Sequence, residues 1–215
     1  MAGKLIVLEG IDRSGKETQA KILYDRLIKE GFWTKLVSFP NYGSESSLLL
    51  RKYLNGDFGQ KPETVSPYAV AMFYALDRFL SLDSWYSFYQ QGGVVVCDRY
   101  VSSNVAYQAS KIVKKTERNS FLDWVTSLEY TKLGAPQASL TLFLDVSPSL
   151  SLKMGQRDSS DIHEENIHYL EKVYNVYKRM AGKRSWATIY CTYGTSIRPI
   201  ADISNDIWHL VEPIL

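Results

Sequence analysis

Short apolar runs alternate along the chain with longer stretches in which apolar positions recur three and four apart. Leu5 to Leu8 leads into a glycine-rich turn, after which Ala20, Leu23 and Leu27 recur at helical spacing until Gly31, so this stretch predicts strand, loop and helix. Leu36 to Phe39, broken by Pro40, predicts a second strand; Val94 to Cys97, entered through Gly92-Gly93, a third; Leu140 to Leu144 a fourth; Ile189 to Thr192 a weaker fifth. Helical patterns lie between them, around Val70 to Leu82 and at Leu170, Val173, Tyr177 and Met180, with a last one at Ile200, Ile203, Ile207, Leu210 and Ile214. Several strands are continuous apolar runs without alternation, as in a parallel sheet covered on both faces by crossover helices. The expected fold is a doubly wound α/β domain, with the polar segment from Gly155 to Asn166 as its candidate mobile loop.

Composition narrows this picture little. At 215 residues and 45% hydrophobic content the chain suits one compact core, so a single domain over 1–215 is expected. A net charge of +2 argues against a nucleic-acid stripe or a polybasic membrane anchor, and points to a small anion if any is bound. Cys97 and Cys191 sit in short apolar or β-branched runs, without metal-ligand spacing, and read as reduced core thiols. No stretch reaches the roughly 20 apolar residues of a membrane span, and the start of the chain has no cleavage-site pattern, so the expected location is cytoplasmic.

Chemistry enters at the first turn. Residues 10–16 read Gly10-Ile11-Asp12-Arg13-Ser14-Gly15-Lys16, the P-loop spacing of two glycines, four intervening residues and a lysine, directly after a strand and opening a helix. The glycines let backbone N–H groups converge on phosphate oxygens, the helix N-terminus adds its positive end, and Lys16 is placed to reach the β- and γ-phosphates. Where Ser or Thr would hold magnesium stands Glu17, and Thr18 lies about a third of a helical turn away. Either Glu17 helps hold the metal or the metal is held elsewhere, with Glu9, Asp12, Asp98 and Glu164 as candidates. Arg13 is a candidate cis arginine finger over the transferring phosphate. At the end of the third strand comes Asp98-Arg99-Tyr100, on the edge of an open α/β sheet where ligands bind, and so in the same crevice as the P-loop.

The combination of G-x-D-x-x-G-K-x-T-Q, L-D-R and D-R-Y-x-x-S-x-x-A-Y-Q resembles the thymidylate kinase family over almost the whole chain. Phe39-Pro40-Asn41-Tyr42-Gly43 is similar to its F-P-x-Y-G turn, and the final strand and amphipathic helix fit its close. The resemblance implies a P-loop NTPase fold, with a five-stranded parallel sheet and a short lid. It also implies ATP as phosphoryl donor, Mg2+, a homodimer, and transfer of the γ-phosphoryl to dTMP to give dTDP and ADP.

Residue by residue, it implies ATP binding by Gly10 to Thr18 and a dTMP pocket opposite. There Asp12 meets the deoxyribose 3′-hydroxyl, Phe39 and Pro40 line the base pocket, and Tyr74 stacks on thymine, a role its neighbour Phe73 could also fill. Arg78 and Arg99 match base-edge and acceptor-phosphate arginines, Asn104 and Gln108 residues near the thymine edge, and Tyr107 the ring beneath the sugar C2′ that would exclude a ribose by steric clash. Asn41 stands where many members carry a phosphate-gripping arginine, and Tyr42 offers a weaker neutral donor to the same phosphate. Lys153, Arg157, Asp161 and Glu164 match the lid, about 153–166, with Arg157 as its phosphate contact; Asp161 and Glu164 equally form a capping-box pattern. Lys16, Arg13, Arg99 and Arg157 are the expected catalytic groups. The rival readings are a kinase of deoxynucleosides or of another monophosphate, and a nucleotide-binding homologue weakened in turnover.

Overall fold

A computed structural model describes residues 3–154, 167–182 and 186–215. Strand β1 (Lys4–Glu9) leads to α1 (Lys16–Lys29) and β2 (Thr34–Ser38); α2 (Leu48–Leu54), α3 (Pro67–Ser81) and α4 (Tyr86–Gln90) precede β3 (Val94–Asp98). Then come α5 (Val101–Ala109), α6 (Lys115–Thr126) continued by a π turn (Ser127–Lys132), β4 (Leu140–Asp145), α7 (Pro148–Ser151), α8 (Ile167–Met180), β5 (Trp186–Tyr190), the short β6 (Thr192–Tyr193) and β7 (Ser196–Ile197), and α9 (Ile200–Val211).

β1 to β5 form one parallel sheet in the order β2-β3-β1-β4-β5. Because side chains alternate across a strand, Leu5 and Val7 of β1 face one core with Val95, Cys97 and Phe143, while Ile6 and Leu8 face the other with Val96, Leu142 and Leu144. Tyr100, Phe121, Val173 and Tyr177 complete the first core, and Ala20, Leu23, Leu27, Ile203 and Ile207 the second. Burying both strand faces explains why the runs are continuously apolar; each Leu so buried contributes about 1.5–3 kcal/mol. The chain leaves β1 toward β2 and β3 on one side and later fills β4 and β5 on the other, so the strand order reverses at β1 and a crevice opens beyond its C-terminal end.

The structure shifts three expected boundaries. β2 begins at Thr34 and ends at Ser38, its ladder closing where Phe39 N donates to the Asp98 carbonyl at 3.0 Å, because Pro40 has no N–H to continue it. β5 runs from Trp186 to Tyr190; Cys191 follows it, and the chain then turns at Gly194 (φ 57°) into the β6–β7 hairpin, so Thr192 belongs to a second sheet. The last helix stops at Val211, where Pro213 ends regular hydrogen bonding, and Ile214 lies in a 3-10 turn. Both cysteines are buried and free, with burial pushing Cys97 well up and Cys191 to about 12. Among the described residues no helix is long and apolar enough to cross a membrane.

Candidate active site

The loop after β1 is shaped by close approach. A side chain at Gly10 would bring its Cβ within 2.6 Å of Ser14 Oγ and 3.1 Å of the Leu144 carbonyl, and Gly15, at φ 85°, caps α1 in the left-handed region that glycine enters without cost. Lys16 is 5% exposed, and its ammonium donates to the Ile11 carbonyl at 2.6 Å and to Ser14 Oγ at 3.3 Å. Burial, helped by the neighbouring Arg99 charge, lowers its pKa to about 8. Arg13 (φ 60°) and Arg99 (φ 64°) are the non-glycine residues held at positive φ among the described residues. Such backbone is costly and is kept where the surroundings over-determine it, as at ligand sites.

Arg99 ties the loop to β3. Its Nη2 pairs with Asp12 Oδ1, and its Nη1 donates to the Gly10 carbonyl at 3.2 Å and Ser103 Oγ at 3.4 Å. The other Asp12 oxygen accepts from Tyr107 Oη at 2.6 Å, while that hydroxyl accepts from the Asp12 N–H at 3.1 Å. Burial and the Asp12 charge together push the Tyr107 phenol well up, so it stays a neutral donor.

Two carboxylates at neighbouring strand ends differ sharply. Glu9 is fully buried and takes hydrogen bonds from the N–H groups of Tyr100 (3.0 Å) and Ser103 (3.1 Å) and the hydroxyls of Ser103 (2.7 Å) and Tyr177 (2.9 Å). It caps the start of α5, and burial raises its pKa. Both of its oxygens are thereby engaged by the start of α5 and by Tyr177. Asp98 Oδ1, by contrast, is buried without a hydrogen-bond partner, next to Lys16. Glu17 and Thr18 are exposed on the first turn of α1. No group of three metal-ligating residues occurs among the described residues. One unsatisfied carboxylate oxygen beside a phosphate loop fits Mg2+, which takes one or two protein carboxylates and fills its shell with phosphate oxygens and water.

Opposite the loop lies a narrow cleft lined by Asp12, Phe39, Pro40, Tyr74, Arg78 and Tyr107, with Tyr42, Leu54, Arg99, Tyr100 and Ser103 around them. The Arg78 guanidinium lies over the rings of both Phe39 (4.6 Å) and Tyr100 (4.8 Å), which meet each other at a tilt, and its Nε donates to Glu129 at 3.0 Å. Burial opposes its charge, but the Glu129 carboxylate outweighs that and leaves its pKa raised. Asn104 and Gln108 are buried on α5, and Asn104 is joined to Arg78 through Glu129. Arg78 Nη1, Asn104 Oδ1 and both Gln108 amide atoms are buried without hydrogen-bond partners. In a folded protein each such group is expected to find one, so an ordered water or a polar ligand is the natural complement.

The model for the thymidylate kinase family matches residues 8–198. The chain belongs to the thymidylate kinase family. A thymidylate kinase of Plasmodium falciparum is 30% identical over 206 residues, covering 95% of this chain and 88% of that one. The thymidylate kinase of Homo sapiens is 33% identical over 153 residues, 71% of this chain and 66% of its own length. A solved thymidylate kinase from Candida albicans, 23% identical, superposes with a TM-score of 0.78 over 99% of this chain and 92% of its own, and shows the same P-loop NTPase fold.

The thymidylate kinase residues named from sequence fall into three groups. Gly10 to Lys16, Phe39, Pro40, Tyr42, Tyr74, Arg78, Arg99 and Tyr107 line the loop or the cleft, while Asn104 and Gln108 are buried on α5 and do not line it. Between the two aromatic candidates, Tyr74 lines the cleft and Phe73 packs on Phe58, ring centroids 6.0 Å apart. The Asn41 side chain is exposed, while its N–H donates to buried Asp77 at 2.9 Å and so fixes the turn. Lys153 is exposed in a short 3-10 turn, and Arg157, Asp161 and Glu164 lie outside the described residues. Sequence reasoning gave no site role to Glu129, Ser103, Leu54 or Tyr177, which it placed only in a helical apolar pattern, and none of its own to Tyr100 within Asp98-Arg99-Tyr100. Only Tyr100 and Ser103, inside the D-R-Y-x-x-S motif, carried a local signal.

Proposed function

We propose that this enzyme transfers the γ-phosphoryl of ATP to dTMP, giving dTDP and ADP. The observation that carries the reading is the acceptor cleft. A guanidinium packed over two aromatic rings, with buried unsatisfied amides nearby, suits a flat base rich in hydrogen-bonding edges, and lies across from the P-loop. The Tyr107–Asp12 pair stands between the two, where the sugar would pass. Asp12 would take the 3′-hydroxyl, and the Tyr107 ring would leave no room for a 2′-hydroxyl.

Backbone N–H groups of Gly10 to Thr18 would cradle the ATP phosphates, with Lys16 on the β- and γ-groups. Arg13, Arg99 and the lid residue Arg157 would neutralise charge on the transferring phosphoryl. Mg2+, held through Asp98 with outer contacts from Glu17 or Glu164, would supply further charge neutralisation on the phosphates. An acceptor phosphate has its second pKa near 6 and is already a nucleophilic dianion at neutral pH, so no dedicated base is required.

A single domain, a cytoplasmic location and a homodimer belong to the same reading. Support for the dimer comes from Met72, Leu76, Phe79 and Leu80, which leave an exposed apolar stripe along α3. The test is ADP release from purified protein with ATP, magnesium and each of dTMP, dUMP, ribo-TMP, dCMP, dGMP and thymidine. Turnover confined to dTMP with weaker dUMP is expected. Turnover with thymidine but not dTMP would make it a nucleoside kinase, and ATP binding without any turnover would make it a non-catalytic homologue.

A further inference from the structure

The polar groups at the inner end of the cleft share one partner that no motif announces. Glu129 comes from the π turn after α6 and is 1% exposed. Its Oε2 accepts from Arg78 Nε at 3.0 Å and its Oε1 from Asn104 Nδ2 at 2.9 Å. The same Nδ2 donates to the Ala71 carbonyl at 2.9 Å. A carboxylate and a carbonyl both act as acceptors, so the Asn104 atom between them must be the NH2 group. Turning the amide over would set its oxygen against two acceptors.

Asn104 Oδ1 is thereby fixed as the remaining face of that amide, a buried acceptor without a partner. On Arg78, Nε is committed to Glu129 and the guanidinium plane is held by Phe39 and Tyr100, which leaves Nη1 as a buried donor without a partner. One carboxylate thus holds a donor and an acceptor in fixed orientation.

Resting on the reading of this cleft as the acceptor-base site, we infer that Glu129 is a positioning residue that sets the hydrogen-bond polarity of the pocket. The site takes an edge that pairs a carbonyl with a ring N–H, as thymine and uracil do. It rejects an edge that pairs an amino group with a bare ring nitrogen, as cytosine does. Cytosine would bring an amino donor against Arg78 Nη1 and a lone pair against Asn104 Oδ1, leaving these polar groups unsatisfied in a desolvated site. Unpaired buried groups discriminate far more strongly than a missing methyl does.

The experiment is steady-state kinetics of the full chain and its Glu129→Gln variant with dTMP and dCMP, alongside thermal melting. The substituted amide has one acceptor oxygen and an NH2 group, so either Arg78 Nε or Asn104 Nδ2 loses its acceptor and faces a donor, and Asn104 is left held by the Ala71 carbonyl alone. The dTMP-over-dCMP ratio of kcat/KM is expected to fall by about tenfold or more, chiefly through KM for dTMP, with KM for ATP unchanged. A folded variant that keeps the wild-type ratio overturns the inference. Should Glu129→Gln fail to fold, Asn104→Ala removes the locked acceptor directly; an unchanged ratio there overturns the inference as well, and a similar fall supports it. Wild-type protein that does not phosphorylate dTMP refutes the proposed activity and this inference with it, whereas active wild type with unaltered variant ratios refutes the inference alone.

Discussion

At the proposed phosphate end of the cleft the candidate groups come from consecutive residues, Gly10 to Lys16, joined by Arg99 just after the neighbouring strand β3. At the base end they come from three separate elements, Arg78 on α3, Asn104 and Gln108 on α5, and Glu129 on the π turn. The phosphate end relies on backbone N–H groups and positive charge, so a side chain lost there should change turnover more than folding. The base end is a buried charge network inside an aromatic core, so a side chain lost there should cost stability and acceptor affinity together.

The largest expected effect tests the first half of that contrast. Lys16→Ala should lower kcat by about 10³ while leaving dTMP affinity within about twofold, measured by steady-state kinetics and calorimetry. Equal losses in both would mean the two ends do not act separately. The second half is tested by Arg78→Ala, which leaves Glu129 buried without its cation and should cost about 3–5 kcal/mol in denaturant unfolding, with ATP affinity preserved in the folded protein. A near-neutral change would show that the network is solvated and not a core element. Tyr107→Phe sits between the ends. It removes the hydroxyl on Asp12, and KM for dTMP should rise about three- to tenfold with kcat little altered.

The smallest effect is in pH. The Lys16 ammonium, with its pKa lowered to about 8 by burial, loses its charge as pH rises through that value. ATP phosphates favour the charged form, so ATP affinity should weaken from about pH 8 upward and binding at pH of about 8.5 should take up a proton. Calorimetry in buffers of different ionisation enthalpy measures that uptake, and Lys16→Met should abolish it.

The same contrast explains what could be read from sequence. The P-loop is local, so the residues from Gly10 to Lys16, between a strand and a helix, carry its geometry. The inner strands β1, β3 and β4 were legible because both their faces are buried and they are therefore almost continuously apolar, whereas the edge strands β2 and β5 are partly exposed and more mixed in sequence. Glu9 and Asp98 looked alike, each an acid at the end of an apolar strand. What separates them is Ser103 and Tyr177, which satisfy Glu9 from 94 and 168 residues away, and no spacing rule reports that. Glu129 was invisible for the same reason, since it meets Arg78 across 51 residues from a segment with no motif of its own. Boundaries slipped where proline or a glycine turn ended the ladder, as at Pro40, Gly194 and Pro213.

Phosphorus NMR of a reaction containing ATP, magnesium, dTMP and the purified chain tests the central claim most directly. The account predicts that the β-phosphate resonance of dTDP grows one for one with ADP and that no inorganic phosphate appears. ADP accompanied only by inorganic phosphate, or no change in the ATP signals while dTMP is present, would contradict it.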